Sequence, residues 1–440
     1  ARSAYDQALL DRALQDGIDP DGIALTTLMP RYHLTEAQLR QLTAYLQTLD
    51  TTAPAGVEGR TIHLATIITP DAPAERRATL LRTLQGWQPG ATLRGLRPRL
   101  HVWTLNGPPD SWPDQLERWQ RERPVYAVLS GAGRDQWEPV QRFCERAQLP
   151  CLLPLLDRIP PTEGQFYSLY FSSGLDGELR LLQRHLDTLV KREADAALQL
   201  LQVRLPHDSL SRHAAASFQQ GWVEAQGAEG AGRLTSVDWT DTSALPDWSA
   251  QAPASAPPRR IVALWLPPAH LQRLVQRWPD GWPGAEAVLL SAQLTPPEQV
   301  DLPPAWQAQV RWASMHSDPA RLRASKAMVL NQWLRRLGLT EEPGTSQAET
   351  YAAIFFLGDA MARMRLGWSP AYLLEELERS ITIYRPAGAV YFSVSLGPNQ
   401  RIAAKGGHVL RFRALAAGDP PGLPALDRLI PAGPLVSVDE

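Results

Sequence analysis

Ser130-Gly131-Ala132-Gly133 stands out as a stretch whose residue types can do chemistry. Glycine lets backbone come close to a small anion, and the Ser130 hydroxyl can add a hydrogen bond. The same four residues also read as an ordinary turn from a strand into a helix. Asp157 and Asp238 can answer an amine, although a solvated loop carboxylate is the commoner fate of such residues. Cys144 and Cys151 lie seven apart, and the sequence leaves open whether they are joined or are two buried thiols. Neither has a metal-site partner at useful spacing. The histidines are scattered, with none paired four residues apart. There is no G-x-S-x-G elbow, P-loop, G-x-G-x-x-G helix opening or H-E-x-x-H. The reading is therefore not an enzyme, and an active α/β enzyme would need an acid–base set that these loops do not supply.

The elements that must position these residues follow from pattern. The chain has 440 residues, too many for one ordinary core. Its 44 basic and 46 acidic residues nearly cancel, and no long basic run offers a footprint for nucleic acid. A hydrophobic share of 44% is enough to build cores. No apolar run approaches the roughly 20 residues of a membrane helix, so no membrane insertion is expected. The opening "ARSAYDQALL" lacks a basic leader and apolar stretch, as expected of a mature or trimmed product or a cytosolic protein.

Residues 5–15 carry a helical stripe that Gly17 stops, and Thr35 with Gln38 forms a capping box for a second helix. Residues 51–60 read as a linker. From Thr61, "TIHLATII", "LHVWTL", "VYAVLSGAG", "CLLPLL" and "FYSLYF" alternate with amphipathic helices. The cadence repeats in "ALQLLQVRL", "RLTSVDW", "RIVALWL" and "EAVLLSAQL". Such alternation predicts an α/β fold of two doubly wound parallel-sheet lobes. Long helices are then expected over 319–337, 347–366 and 370–380. Two strands around a Gly-Pro-Asn turn and a Gly-Gly step follow in "GAVYFSVSLGPNQRIAAKGGHVLRFRAL".

That order of elements resembles the type I periplasmic solute-binding proteins, the branched-chain amino-acid and amide receptors of ABC importers. The similarity spans about residues 60–415, and "FSVSLGPNQRIAAKGGHVLRF" looks like the closing strand–turn–strand of that family's second lobe. The resemblance implies lobe 1 over about 61–171 plus 315–385, and lobe 2 over about 172–314 plus 386–440. Hinges are expected near Phe171, Ser314 and Arg385. It further implies a periplasmic receptor that closes on a small organic ligand for delivery to an ABC permease. The ligand site would lie at strand ends in the cleft, drawing on Ser130, Gly131, Ala132, Leu155, Asp157, Tyr167, Tyr170, Phe171, Trp265 and Ser291. Strand alternation puts Tyr167 and Phe171 on one face and Tyr170 on the other. Trp265 is a candidate apolar lid or a residue packed under a helix. The ligand itself is not readable.

The first fifty residues resemble another family. "GIDPDGIALTTLMPRYHLTEAQLRQLTAYLQTL" is similar to the second half of a monohaem cytochrome c, a short all-α fragment in which Met29 would be the axial iron ligand. The Cys-x-x-Cys-His that holds the porphyrin is absent, so this chain implies no cofactor of its own. Haem c is expected only if the attachment half exists as a removed or separate piece, with a vestigial domain as the alternative. The rival function is a redox-linked periplasmic protein whose binding module docks a cytochrome unit to a dehydrogenase.

Overall fold

The computed structural model describes residues 5–26, 30–48, 54–192, 198–240, 245, 259–364, 367–383, 390–391, 393–397, 399–416, 419 and 423–437. Helix α1 (Gln7–Gln15) starts at Asp6, whose carboxylate accepts from the Leu9 N–H, 2.7 Å away. Helix α2 (Glu36–Thr48) has the expected capping box: the Gln38 N–H donates to Thr35 Oγ1 and the Thr35 N–H to Gln38 Oε1. No described residue between 5 and 48 joins any of the three hydrophobic cores. Met29 and Arg385 lie outside the described residues.

The first sheet begins with β1 (Val57–Glu58), which turns back against β2 (Thr61–Ile68). Then come α3 (Ala74–Trp87), β3 (Arg97–Thr104), α4 (Trp112–Glu122), β4 (Ala127–Ala132), α5 (Glu138–Arg146), β5 (Cys151–Leu152) and β6 (Ser168–Leu169). Five parallel strands run in the order β3-β2-β4-β5-β6. Strand β2 is apolar almost throughout because both its faces are covered. Ile62, Leu64 and Ile68 enter the core under α3, and Ala65 and Ile67 the core under α4 and α5. Cys144 and Cys151 form a disulfide that ties α5 to β5.

The second sheet follows α6 (Leu175–Arg192): β7 (Leu198–Arg204), α7 (Ser209–Arg233, broken at Gly227), β8 (Leu234–Asp238), β9 (Arg259–Trp265), α8 (Pro268–Arg277), β10 (Ala287–Ser291), α9 (Pro304–Gln309) and β11 (Val310–Ser314). Strands β8-β7-β9-β10-β11 are parallel. The chain then returns to the first sheet through α10 (Pro319–Ser325), α11 (Asn331–Arg336), α12 (Ser346–Arg363) and α13 (Pro370–Ile383). Helix α12 packs on α3 and β4. Last come β12 (Gly406–Phe412), antiparallel to β11, then β13 (Leu429–Pro431) and β14 (Val436–Ser437), both antiparallel to β12. The chain thus passes between the sheets three times.

Three local expectations need correcting. The helix expected over 319–337 is interrupted by a π turn, Lys326–Leu330, where buried Lys326 donates to the Gly344 carbonyl at 2.6 Å. The strand expected in "FYSLYF" keeps only Ser168 and Leu169 in the ladder, and Tyr170 instead makes a single bridge to Ile402. The first strand of the closing pair is reduced to one bridge, Val394 to Ala404, flanked by the Ser395 N–H to Ala403 carbonyl and Lys405 N–H to Ser393 carbonyl bonds.

Candidate cleft between the two sheets

The parallel strands of the first sheet end on a strained floor. Ser130 and Leu153, at the ends of β4 and β5, both have φ near +56°, a conformation costly for non-glycine residues. The Ser130 hydroxyl donates to the Leu153 carbonyl at 3.4 Å. Gly131 has φ +148°, and a Cβ there would stand 2.6 Å from Trp137 Cη2 and 2.9 Å from the Ile67 carbonyl. The close approach that glycine permits is therefore used by the Trp137 indole. The donors of the turn are also occupied: the Gly133 N–H donates to the Leu155 carbonyl at 3.1 Å, and the Asp135 and Gln136 N–H groups donate to Asp71 Oδ2 at 3.0 and 3.2 Å. This corrects the expectation of an open anion turn.

Charges gather just above this floor. Asp157 is buried rather than solvated, which corrects its expected fate. Burial pushes its carboxyl above the usual range, opposed by Arg76 and Arg134. Arg76 donates to Asp157 Oδ1, and Arg134 Nε lies 3.5 Å from Oδ2. Arg134 also reaches across the cleft: its Nη1 donates to Asp208 Oδ1 at 2.7 Å. Asp208 precedes α7, and its other oxygen accepts from the Ser211 N–H at 2.8 Å. A helix N-terminus on one lobe is thus tied to an arginine on the other. Arg158 lies 3.7 Å from Asp176, which His213 also contacts.

Below the cleft the three crossings meet. Phe171 stacks on Tyr391 with ring centres 5.5 Å apart. The Ser317 N–H donates to the Val390 carbonyl at 2.6 Å. Ser291 donates its hydroxyl to Glu178 Oε2 at 2.5 Å. A cavity of ≈ 20 Å³ beside Phe171, Glu349, Phe356 and Tyr391 has room for about one water.

The expected site residues therefore divide. Ser130, Gly131, Ala132, Leu155 and Asp157 come together at the floor, Phe171 lies at a crossing, and Ser291 ends β10 against Glu178. Tyr167 is half-buried, edge-on to Phe166, and shares a core with Phe171, while Tyr170 is buried in the core of the opposite face. Trp265 is not a lid: it is fully buried, set edge-on to Phe218, and its indole N–H donates to Gln202 at 3.0 Å. Asp238 pairs with Arg204 at 2.6 Å, across the ends of β8 and β7. Sequence reasoning missed Arg76, Arg134 and Asp208. The Asp208-Ser209 capping pattern was a usable signal for the last.

Among the described residues no helix is long and apolar enough to cross a membrane. No protein-family model matches the chain, and no curated protein matches it. Solved structures do. A leucine-binding protein from Thermotoga maritima is 12% identical with a TM-score of 0.56, over 86% of this chain and 99% of that one. A branched-chain amino acid ABC transporter protein from Thermus thermophilus, solved with bound valine, is 12% identical with a TM-score of 0.57, over 87% and 98%. A fatty acid ABC transporter substrate-binding protein from Thermomonospora curvata is 11% identical with a TM-score of 0.54, over 89% and 95%. Neither these likenesses nor the structure supports the haem reading of the first fifty residues. Two parallel-dominated sheets, joined by three crossings and matched to these neighbours, give the chain the fold of the type I periplasmic binding proteins.

Proposed function

We propose that the chain is a solute-binding receptor that closes two lobes on a small organic ligand and delivers it to an ABC-type permease in the periplasm. The observation that carries this reading is the cleft itself. Strand ends and a helix N-terminus face each other there, and Arg134 and Asp208 already join the two sides. The lobes proposed are residues of about 61–171 plus 315–385, and about 172–314 plus 386–440. The solved neighbours named for leucine, valine and fatty acids support a small acid or amino acid as ligand class. The Cys144–Cys151 disulfide suits an oxidising compartment such as the periplasm.

A thermal-shift screen of the chain against amino acids, amides, short-chain and aromatic acids and alcohols tests it. Binding to the native state raises the melting temperature by mass action. A saturable shift for one chemical class is expected. A folded protein that responds to nothing in the panel would sink the receptor reading.

A further inference from the structure

The three crossings of the chain converge on one buried cluster of acid–base side chains that the cleft reading leaves unused. Glu178 stands in the first turn of α6, which rides on the second sheet. Glu349 stands in the first turn of α12, which rides on the first. His316 lies on the crossing after β11, and Tyr391 on the crossing before β12. Glu178 Oε2 accepts from the Ser291 hydroxyl and the Gln293 N–H. Its Oε1 is buried near the Met315 backbone, with no well-formed hydrogen bond among the described residues. His316 Nε2 is 3.5 Å from Glu349 Oε1, and the Tyr391 hydroxyl donates to that same oxygen. Thr345 Oγ1 donates to Glu349 Oε2 at 3.2 Å.

The surrounding charges are few. His316 faces Glu349, Glu178 and Glu298. Glu349 and Tyr391 face His316, each other and Arg76 of α3, whose own partner is Asp157. The two glutamates belong to different lobes and the histidine to the crossing that follows β11. Glu178 is held by Ser291 and Gln293 of its own lobe and Glu349 by Tyr391 and His316 at the crossings, so a rotation of one lobe against the other acts on the spacing between the two groups.

We propose that this cluster is a proton-coupled hinge: closing the lobes takes up protons on Glu178 and His316, and opening releases them. The idea borrows only the lobe motion from the receptor reading and needs no ligand. Burial opposes the charged form of Glu178 and holds its proton up to about pH 7, against 4.5 for an ordinary glutamate. Burial alone would lower His316, but Glu349, with Glu178 and Glu298 behind it, outweighs that effect and leaves the imidazole above 6.5. Hydration on opening returns both groups toward their ordinary values.

Glu178 therefore gives the closed form an extra proton between about pH 4.5 and 7, and His316 adds to it only above 6.5. Raising the pH through that window favours opening. Glu349 acts at the other end: His316 and Tyr391 hold it below its usual range despite burial, so its contribution is lost only as pH falls below 4.5.

The test uses ligand-free full-length chain carrying nitroxide labels at Asp114→Cys in α4 and Ala216→Cys in α7, both exposed positions on opposite lobes. Pulsed electron–electron distance measurements from pH 4.5 to 8 should show a short-distance population losing weight to a longer one as the pH rises through the window from 4.5 to 7. Glu178→Gln should keep the short population up to pH 8. Ser291→Ala removes a hydrogen bond that favours the carboxylate and should move the midpoint upward. It also decides the matter alone if Glu178→Gln does not fold. A wild-type distribution that ignores pH overturns the hinge, as does an unmoved midpoint in the variants. Neither result touches the receptor reading, which the thermal-shift screen decides. A pH-driven transition in a chain that binds no solute keeps the hinge and removes the receptor.

Discussion

Arg134→Ala cuts the cross-lobe tie and should shift the ligand-free protein toward its open form. The Arg134–Asp208 contact is a charge-assisted hydrogen bond of 2.7 Å, of a kind worth about 1.5–3 kcal/mol. The two side chains retain 28% and 16% of their exposure, so solvent screens part of that, leaving about 1–2 kcal/mol. The larger penalty of an orphaned buried charge does not arise. Asp157 keeps Arg76, and Asp208 keeps the Ser211 N–H. A change of that size moves the open-to-closed ratio by about 5–30-fold. The same labelled positions read it directly, and a double-mutant cycle with Asp208→Ala should return a coupling of about 1–2 kcal/mol. A coupling near zero, with unchanged distances in both single variants, would refute the view that this pair holds the lobes together.

Three further outcomes follow from packing and charge. Trp265→Ala should lower urea-measured stability by about 3–5 kcal/mol, as a buried tryptophan truncation does, while leaving the pattern of thermal-shift hits unchanged. Replacing Cys144 and Cys151 together by serine should cost about 2–3 kcal/mol by freeing a short loop in the unfolded chain, read in the same urea titration without reductant. His101 is held down to about 4 by burial and then by its neighbour His63. The unfolded chain therefore takes that proton first, and stability falls as pH drops from 6.5 toward 4; His101→Gln should flatten that part of the urea midpoint-versus-pH curve.

Much of the scaffold could be read from local pattern. "TIHLATII" is apolar on both faces because parallel strands are covered on both, and the Thr35–Gln38 box lies within a single turn. The Ser130 turn was found at a strand end for the same reason. Its content was not legible. That Trp137 fills the gap at Gly131 depends on how α5 leans over the sheet, which no spacing encodes. The ties that make the cleft join Arg76 to Asp157, 81 residues on, and Arg134 to Asp208, 74 residues on. Such pairs are set by tertiary placement, not by any period in the chain. Trp265 shows the same limit: alternation locates the end of β9 but cannot say whether its last side chain meets a cleft or Phe218.

The triple crossing also governs how the chain can be made. Helix α12 covers one face of the first sheet, yet it follows β6 by ~180 residues, most of them in lobe 2. At 5–20 residues per second, a ribosome leaves that face covered by α3 alone for on the order of 10 to 40 s after β6 has emerged. During that interval Leu80, Leu84 and Leu129 lack the cover that Ala353, Phe356 and Leu357 later provide. A nascent chain that cannot finish its first domain stays loose, available to holding chaperones and threadable through a narrow translocation pore.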